Sequence, residues 1–388
     1  MKAWASLCLP LLFSLLAGCA SVKPPAPPPA LDALLADSLF RPPSEPISTA
    51  GLFTLSAEMR AYLDSPEFRA HLKDHGNEIG LVDALYQKSK LKIEYDPRTT
   101  RSASETYAAR SGNCLSLVIM TAAFARELGL QVHYQSVHAD RSWVRTGQLY
   151  VASNHVNLSL ARPTAPGEPN RNALTIDFLP PEAMGGYRTH SVDEADIVGM
   201  YMNNRAAEAI MRGQLDDAYW WARAALLHDP WSATAYNTLG VVYQRHADTA
   251  LSEQVFRASL EREPENVIVM QNLVPVLDAL GKKEEAQALQ RRLASIEPYP
   301  PFHFFDEGMK ALTAGRFEQA KALFGRELAR APYNEEFHFW LAVACLKLGE
   351  PGLARKQLAL AVNYSTTQEM RGVYSSKLAQ LASRAGHN

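Results

Sequence analysis

With 388 residues the chain is longer than one hydrophobic core organises, so two or more folded units are expected. Its 47% hydrophobic, 21% charged and 9% aromatic residues describe a well-packed protein and exclude a disordered one. The formal net charge of -2 excludes a general nucleic-acid binder, which needs a basic surface to neutralise phosphates.

Lys2 followed by the apolar stretch Leu7 to Ala17 has the architecture of a signal peptide, and the stretch is too short to cross a bilayer as a helix. It closes on Leu16-Ala17-Gly18-Cys19, which resembles the bacterial lipobox. The resemblance implies a signal peptide over residues 1–18 and lipidation of the Cys19 thiol, with each buried acyl methylene adding about 0.8 kcal/mol of membrane affinity. Ala20 follows, rather than the Asp that retains such lipoproteins at the inner membrane, which implies an outer-membrane, periplasm-facing anchor. Residues 19–50 read as a lipidated spacer, because Lys23-Pro24-Pro25-Ala26-Pro27-Pro28-Pro29 favours an extended polyproline chain with no core. With Cys8 removed and Cys19 lipidated, Cys114 and Cys345 remain, and they read as a functional and a buried thiol rather than a bridge.

Residues 51–198 form the next expected domain. Helical patterns cover Ala57 to Lys73 and Glu78 to Lys90, and an extended Lys92 to Tyr95 ends at the turn pair Asp96-Pro97. After Ser111-Gly112-Asn113, apolar residues at Leu115, Val118, Ile119, Ala122, Ala125 and Leu128 follow a helical period that Gly129 stops. Cys114 thus opens a buried helix, where unpaired amides and the helix dipole favour the nucleophilic thiolate. Leu130 to Val137, Gln148 to Ala152, His155 to Leu160 and Leu174 to Phe178 read as strands, and Ala139 to Gly147, with Trp143, as a hairpin loop. Alternation puts His155, Asn157 and Ser159 on one face, opposite Val156, Leu158 and Leu160, and sets Asp177 against Ile176 and Phe178. His155 and Asp177 can therefore share a face on neighbouring strands. His133, His138 and His190 match no compact zinc spacing, and neither a metal nor a cofactor is expected.

Gly-Asn-Cys opening a helix, Asn-His-Val opening a strand and Ile-Asp-Phe on a following strand resemble the transglutaminase-like superfamily, an α+β, papain-related fold. The lead-in Ser102-Ala103-Ser104-Glu105-Thr106-Tyr107 is similar as well. The resemblance implies Cys114 as nucleophile, His155 as general base and then acid, and Asp177 as the group orienting the imidazole. It implies attack on a carboxamide or peptide carbonyl to give a thioester, resolved by water or by an amine.

From residue 199 to 388 the sequence is periodic. Pro230, Pro264, Pro298 and Pro332 recur every 34 residues, and twelve positions before each lies Ala218, Ser252, Ala286 or Ala320, with Ala354 continuing the series. Tyr236, Leu239, Gly240, Tyr243, Phe256, Ser259 and Pro264 occupy the positions that the tetratricopeptide pattern fills with these residue types. The resemblance implies an all-α solenoid of about five repeats plus a capping helix over Thr367 to Ala385, with a groove for a protein or peptide partner. Gln290, Leu293 and Glu327 depart from the pattern. Two functions are compatible with the whole: an envelope-anchored cysteine amide hydrolase or transamidase to which the repeats bring a partner, or a catalytically inactive scaffold in which the repeats alone act.

Overall fold

A computed structural model describes residues 31–87, 90–138, 143–146, 149–152, 155–163, 173–178, 188–365 and 367–385. The expected signal peptide and Cys19 lie outside the described residues, as do the side chains of His138 and Trp143.

The helical pattern from Ala57 to Lys73 is two helices, α1 (Ala57–Asp64) and α2 (Pro66–His75). Ser65 divides them: its hydroxyl accepts from the Phe68 amide, and Pro66 takes the first helical position, where no N–H is needed. Next come α3 (Asn77–Tyr86), β1 (Glu94–Tyr95), α4 (Ala103–Ala109), β2 (Ser111–Gly112) and α5 (Cys114–Glu127). Burial runs without a break from Leu115 to Ala125, as a central helix that is apolar on every side requires.

Strands β3 (Gln131–His138), β6 (His155–Ala161), β7 (Leu174–Ile176) and β8 (Arg188–Val192) form an antiparallel sheet in the order β7-β6-β3-β8. Strands β4 (Trp143–Thr146) and β5 (Leu149–Ala152) form a separate hairpin, so part of the stretch expected as loop is strand. β8 carries Arg-Thr-His-Ser-Val, whose polar residues hide its period; pairing with β3 is what makes it a strand.

The repeats pair α6 (Glu194–Met211) with α7 (Leu215–His228), α8 (Ala233–Arg245) with α9 (Thr249–Arg262), and α10 (Val267–Ala279) with α11 (Lys283–Ile296). They continue with α12 (His303–Thr313) and α13 (Phe317–Arg330), then α14 (Glu335–Lys347) and α15 (Pro351–Tyr364), and end on α16 (Gln368–Ala385). Small residues permit the close packing within a pair: a Cβ on Gly240 would lie 2.5 Å from the Phe256 ring, and one on Gly308 would lie 2.6 Å from Phe324. Glu327, a departure from the repeat pattern, is buried because its carboxylate accepts the Phe304 and Phe305 amides at the start of α12, at 2.8 and 3.1 Å.

Two expectations are corrected. The domain boundary at 198/199 falls inside α6, and one hydrophobic core runs from Leu34 through α5 and the sheet to Tyr243 and Val255. Residues 31–50, expected as part of a solvated spacer, form a strap docked on the first repeats. Phe40 stacks on Tyr219 at 4.1 Å, Tyr219 Oη donates to Asp37 at 2.5 Å, Trp221 Nε1 donates to Glu45 at 3.0 Å, and Ser44 donates twice to Asp217. Leu34 and Phe40, which follow the proline run in sequence, are buried and anchor the strap.

Candidate active site

Cys114, the expected nucleophile, is placed by the turn before α5. The Asn113 side chain caps the helix, accepting from the Ser116 amide at 2.9 Å and from its hydroxyl at 2.8 Å. Gly112 is required for close approach: a Cβ there would lie 2.6 Å from Ser116 Cβ. Cys114 is the first residue of the helix and is partly exposed, while the other described free thiol, Cys345, is fully buried. The opening amides of a helix have no partner within it and point toward any charge held at that end.

His155 and Asp177 meet as the alternation of the strands suggested. In the β6–β7 register Leu158 pairs with Ile176 and Ser159 with Thr175, which brings Asn157 opposite Asp177. His155 Nε2 and Asp177 Oδ1 are 2.6 Å apart, with both side chains almost fully buried. Asn157 Nδ2 donates to the second carboxylate oxygen at 2.9 Å, and Ser159 and Thr175 hydroxyls hydrogen-bond at 2.8 Å on the same face. Asn157 is absent from the expected trio. Its position, two residues after His155 on the same face, was the available signal; its opposition to Asp177 is a matter of strand register.

Cys114 lies close enough to His155 to act on its electrostatics, while His155 Nε2 is given to Asp177. Burial opposes a charged ring, yet the hydrogen bond to Asp177, with the neighbouring Cys114 and the Asp177 charge, outweighs it, and the pKa rises from 6.5 to about 9. The raised value favours the protonated ring at neutral pH. Tyr95 lies beside this pair: burial, then Cys114, Glu335 and Asp96, hold its phenol far above the ordinary range and so neutral. Among the described residues no three His, Cys, Asp or Glu side chains cluster as a metal site, and no described helix is long and apolar enough to cross a membrane. His133 pairs across the sheet with Ser159, and His190 with Ser136.

Comparison with known proteins bears on the helical half. Residues 305–366 match the Tetratricopeptide repeat family model. Over this span, α12 to α15, the helical array is built of tetratricopeptide repeats. Human Tetratricopeptide repeat protein 7A is 24% identical over 188 residues, which is 48% of this chain but 18% of that protein, so the chain spans less than a fifth of that relative's length. Among solved structures, Pseudomonas aeruginosa pilF is similar at 22% identity, with 49% of this chain and 87% of that chain covered and a TM-score of 0.30. YrrB, a TPR protein with an unusual peptide-binding site, is similar at 20% identity, covering 46% and 92%, with a TM-score of 0.26. TTC0263 from Thermus thermophilus is similar at 18% identity, covering 47% and 99%, with a TM-score of 0.29.

Proposed function

We propose that the repeats dock a protein or peptide partner and that the α/β unit in front of them, a transglutaminase-like domain, performs cysteine-centred acyl transfer on it. The observation that carries the chemistry is Cys114 at the start of α5 beside His155, whose Nε2 lies 2.6 Å from Asp177 and whose pKa is raised to about 9. In this reading the Cys114 thiolate attacks a carboxamide or peptide carbonyl, and the opening amides of α5 stabilise the oxyanion. The tetrahedral intermediate collapses as His155 gives its Nδ1 proton to the leaving nitrogen, which departs as ammonia or an amine and leaves a thioester on Cys114. Neutral His155 then takes a proton from water or from an acceptor amine, whose attack releases the acid or a new amide and restores the thiolate. Asp177 holds the ring in the required tautomer, and Asn157 holds Asp177.

The carboxy-terminal repeats supply docking because stacked helix pairs leave an extended surface along the array. A reading in which the repeats alone act, with the α/β unit as an inactive scaffold, is favoured by the family match, which falls within them. Both readings place the chain on the periplasmic face of the outer membrane through lipidated Cys19. Alkylation of the full chain by iodoacetamide at pH 7, followed by site-resolved mass spectrometry, separates the two. Cys114 is expected to react far faster than an unfolded cysteine, with His155→Ala abolishing the advantage. Ordinary reactivity that is indifferent to His155→Ala would leave the scaffold alone.

A further inference from the structure

The turn that carries Cys114 is not self-supporting. β1 lies parallel to β2 immediately before the nucleophile: the Glu94 amide donates to Arg110 O and the Asp96 amide to Gly112 O, each at 2.9 Å. Further along the same segment, the Arg101 amide donates to Ser116 Oγ at 2.8 Å. Between them sits Thr100, fully buried, whose hydroxyl accepts from Asn113 Nδ2 at 2.7 Å. Asn113 is therefore fixed on both sides, its oxygen by Ser116 and its nitrogen by Thr100.

This segment is gripped by the helical array at both ends. From α6, Asn204 Nδ2 donates to the Thr100 hydroxyl at 3.3 Å, Glu208 Oε1 accepts the Thr100 amide at 2.6 Å, and Arg205 donates to the Thr100 carbonyl at 3.4 Å. Arg205 also pairs with Glu45 of the strap at 2.5 Å. From α16, at the far end of the repeats, Gln368 Nε2 donates to Glu94 at 2.5 Å, and Glu369 interacts electrostatically with Arg98. The array thus leaves the α/β unit at α6 and returns to it at α16, meeting one short stretch of chain that abuts the nucleophile.

We infer that Thr100 is a positioning residue for Cys114: acting through Asn113, it transmits the placement of the first and last repeat helices to the start of α5. The inference rests on the acyl-transfer reading above. A hydroxyl is needed because it must accept from two amide donors at once; without it, the Asn113 donor is buried unpaired, Asn204 loses its acceptor and the cap is free to turn. The opening amides of α5 then lose the orientation that favours thiolate. A partner that changes the curvature of the array pulls on this same stretch, so docking is felt at the sulfur.

The test uses the full chain and measures site-resolved iodoacetamide alkylation of Cys114 from pH 5 to 10 in the wild type, Thr100→Val, Thr100→Ser, Asn204→Ala and Gln368→Ala. Thr100→Val, which keeps shape and loses the hydroxyl, is expected to raise the acid midpoint of the rate profile by about one pH unit, a roughly tenfold loss of rate on the acid limb. Thr100→Ser should restore the wild-type profile, and Asn204→Ala and Gln368→Ala should shift it less, in the same direction. A profile left in place by Thr100→Val overturns the inference and leaves the acyl-transfer reading standing. If Thr100→Val does not fold, wild-type profiles in both Asn204→Ala and Gln368→Ala overturn it equally. A wild-type thiol that titrates like an unfolded one removes the acyl-transfer reading, and this inference with it.

Discussion

Replacing Asp177 by Asn removes one negative charge and leaves the number of non-hydrogen atoms at the site unchanged. In the native chain the rise of His155 from 6.5 to about 9 corresponds to about 3 kcal/mol of net preference for the imidazolium, gained against burial. Asp177 accepts from two donors, His155 Nε2 at 2.6 Å and Asn157 Nδ2 at 2.9 Å. An Asn offers one carbonyl oxygen and one NH2, so one of those donors must lose its acceptor. A charge-assisted bond contributes about 1.5–3 kcal/mol and a neutral one about 0.5–1.5, so about 1–2 kcal/mol of support for the imidazolium is lost. The His155 pKa should then fall by about one unit, more if the ring is left unbonded. Because the native pKa is raised, the associated stability is fully present below pH 6.5 and is lost as pH rises through about 9; in Asp177→Asn that loss is smaller and is complete at a lower pH. The assay is a titration of the His155 ring by NMR, paired with the alkaline limb of any acyl-transfer activity. A ring that still titrates near 9 in Asp177→Asn would refute the assignment of Asp177 as its main support.

Gly240→Ala, whose Cβ would meet Phe256 at 2.5 Å, should destabilise the repeats by about 1–3 kcal/mol in denaturant melts, overriding its better helix propensity. Gly325→Ala in α13, with nothing within 4 Å, should instead stabilise them by about 0.5–1 kcal/mol; equal signs for the two would contradict the close-packing argument. Phe40→Ala removes a buried ring stacked on Tyr219 and should cost the docked strap about 3 kcal/mol. Limited proteolysis should then cut within residues 31–50 much faster than in the wild type, and an unchanged cutting rate would mean that the strap is held otherwise. Cys19→Ser should release the chain from the membrane fraction, and retention there would exclude a lipid anchor at that thiol.

What could be read from the sequence was local or periodic. The 34-residue recurrence of proline, with small residues twelve positions earlier, specified the helix pairs of the repeats, because each residue type answers to a near neighbour in chain or to the adjoining repeat. Alternation along 155–160 and 174–178 was enough to put His155 and Asp177 on one face, and the apolar period after Cys114 was enough to put that thiol at a helix start. A proline run likewise reads as an extended chain, and nothing local in it reveals that Phe40 and Leu34 farther on find a buried place on a repeat.

Tertiary structure alone decided the partners of groups that lie far apart in sequence. Asn157 supports Asp177 through strand register, Thr100 meets Asn113 and Glu208, and Glu94 meets Gln368 across nearly the full length of the folded chain. Such pairs carry no period, because a buried hydrogen bond constrains two positions and leaves the residues between them free. The places of Cys114, His155 and Asp177 were legible in short motifs; the contacts between the Cys114 turn and the helical array were not.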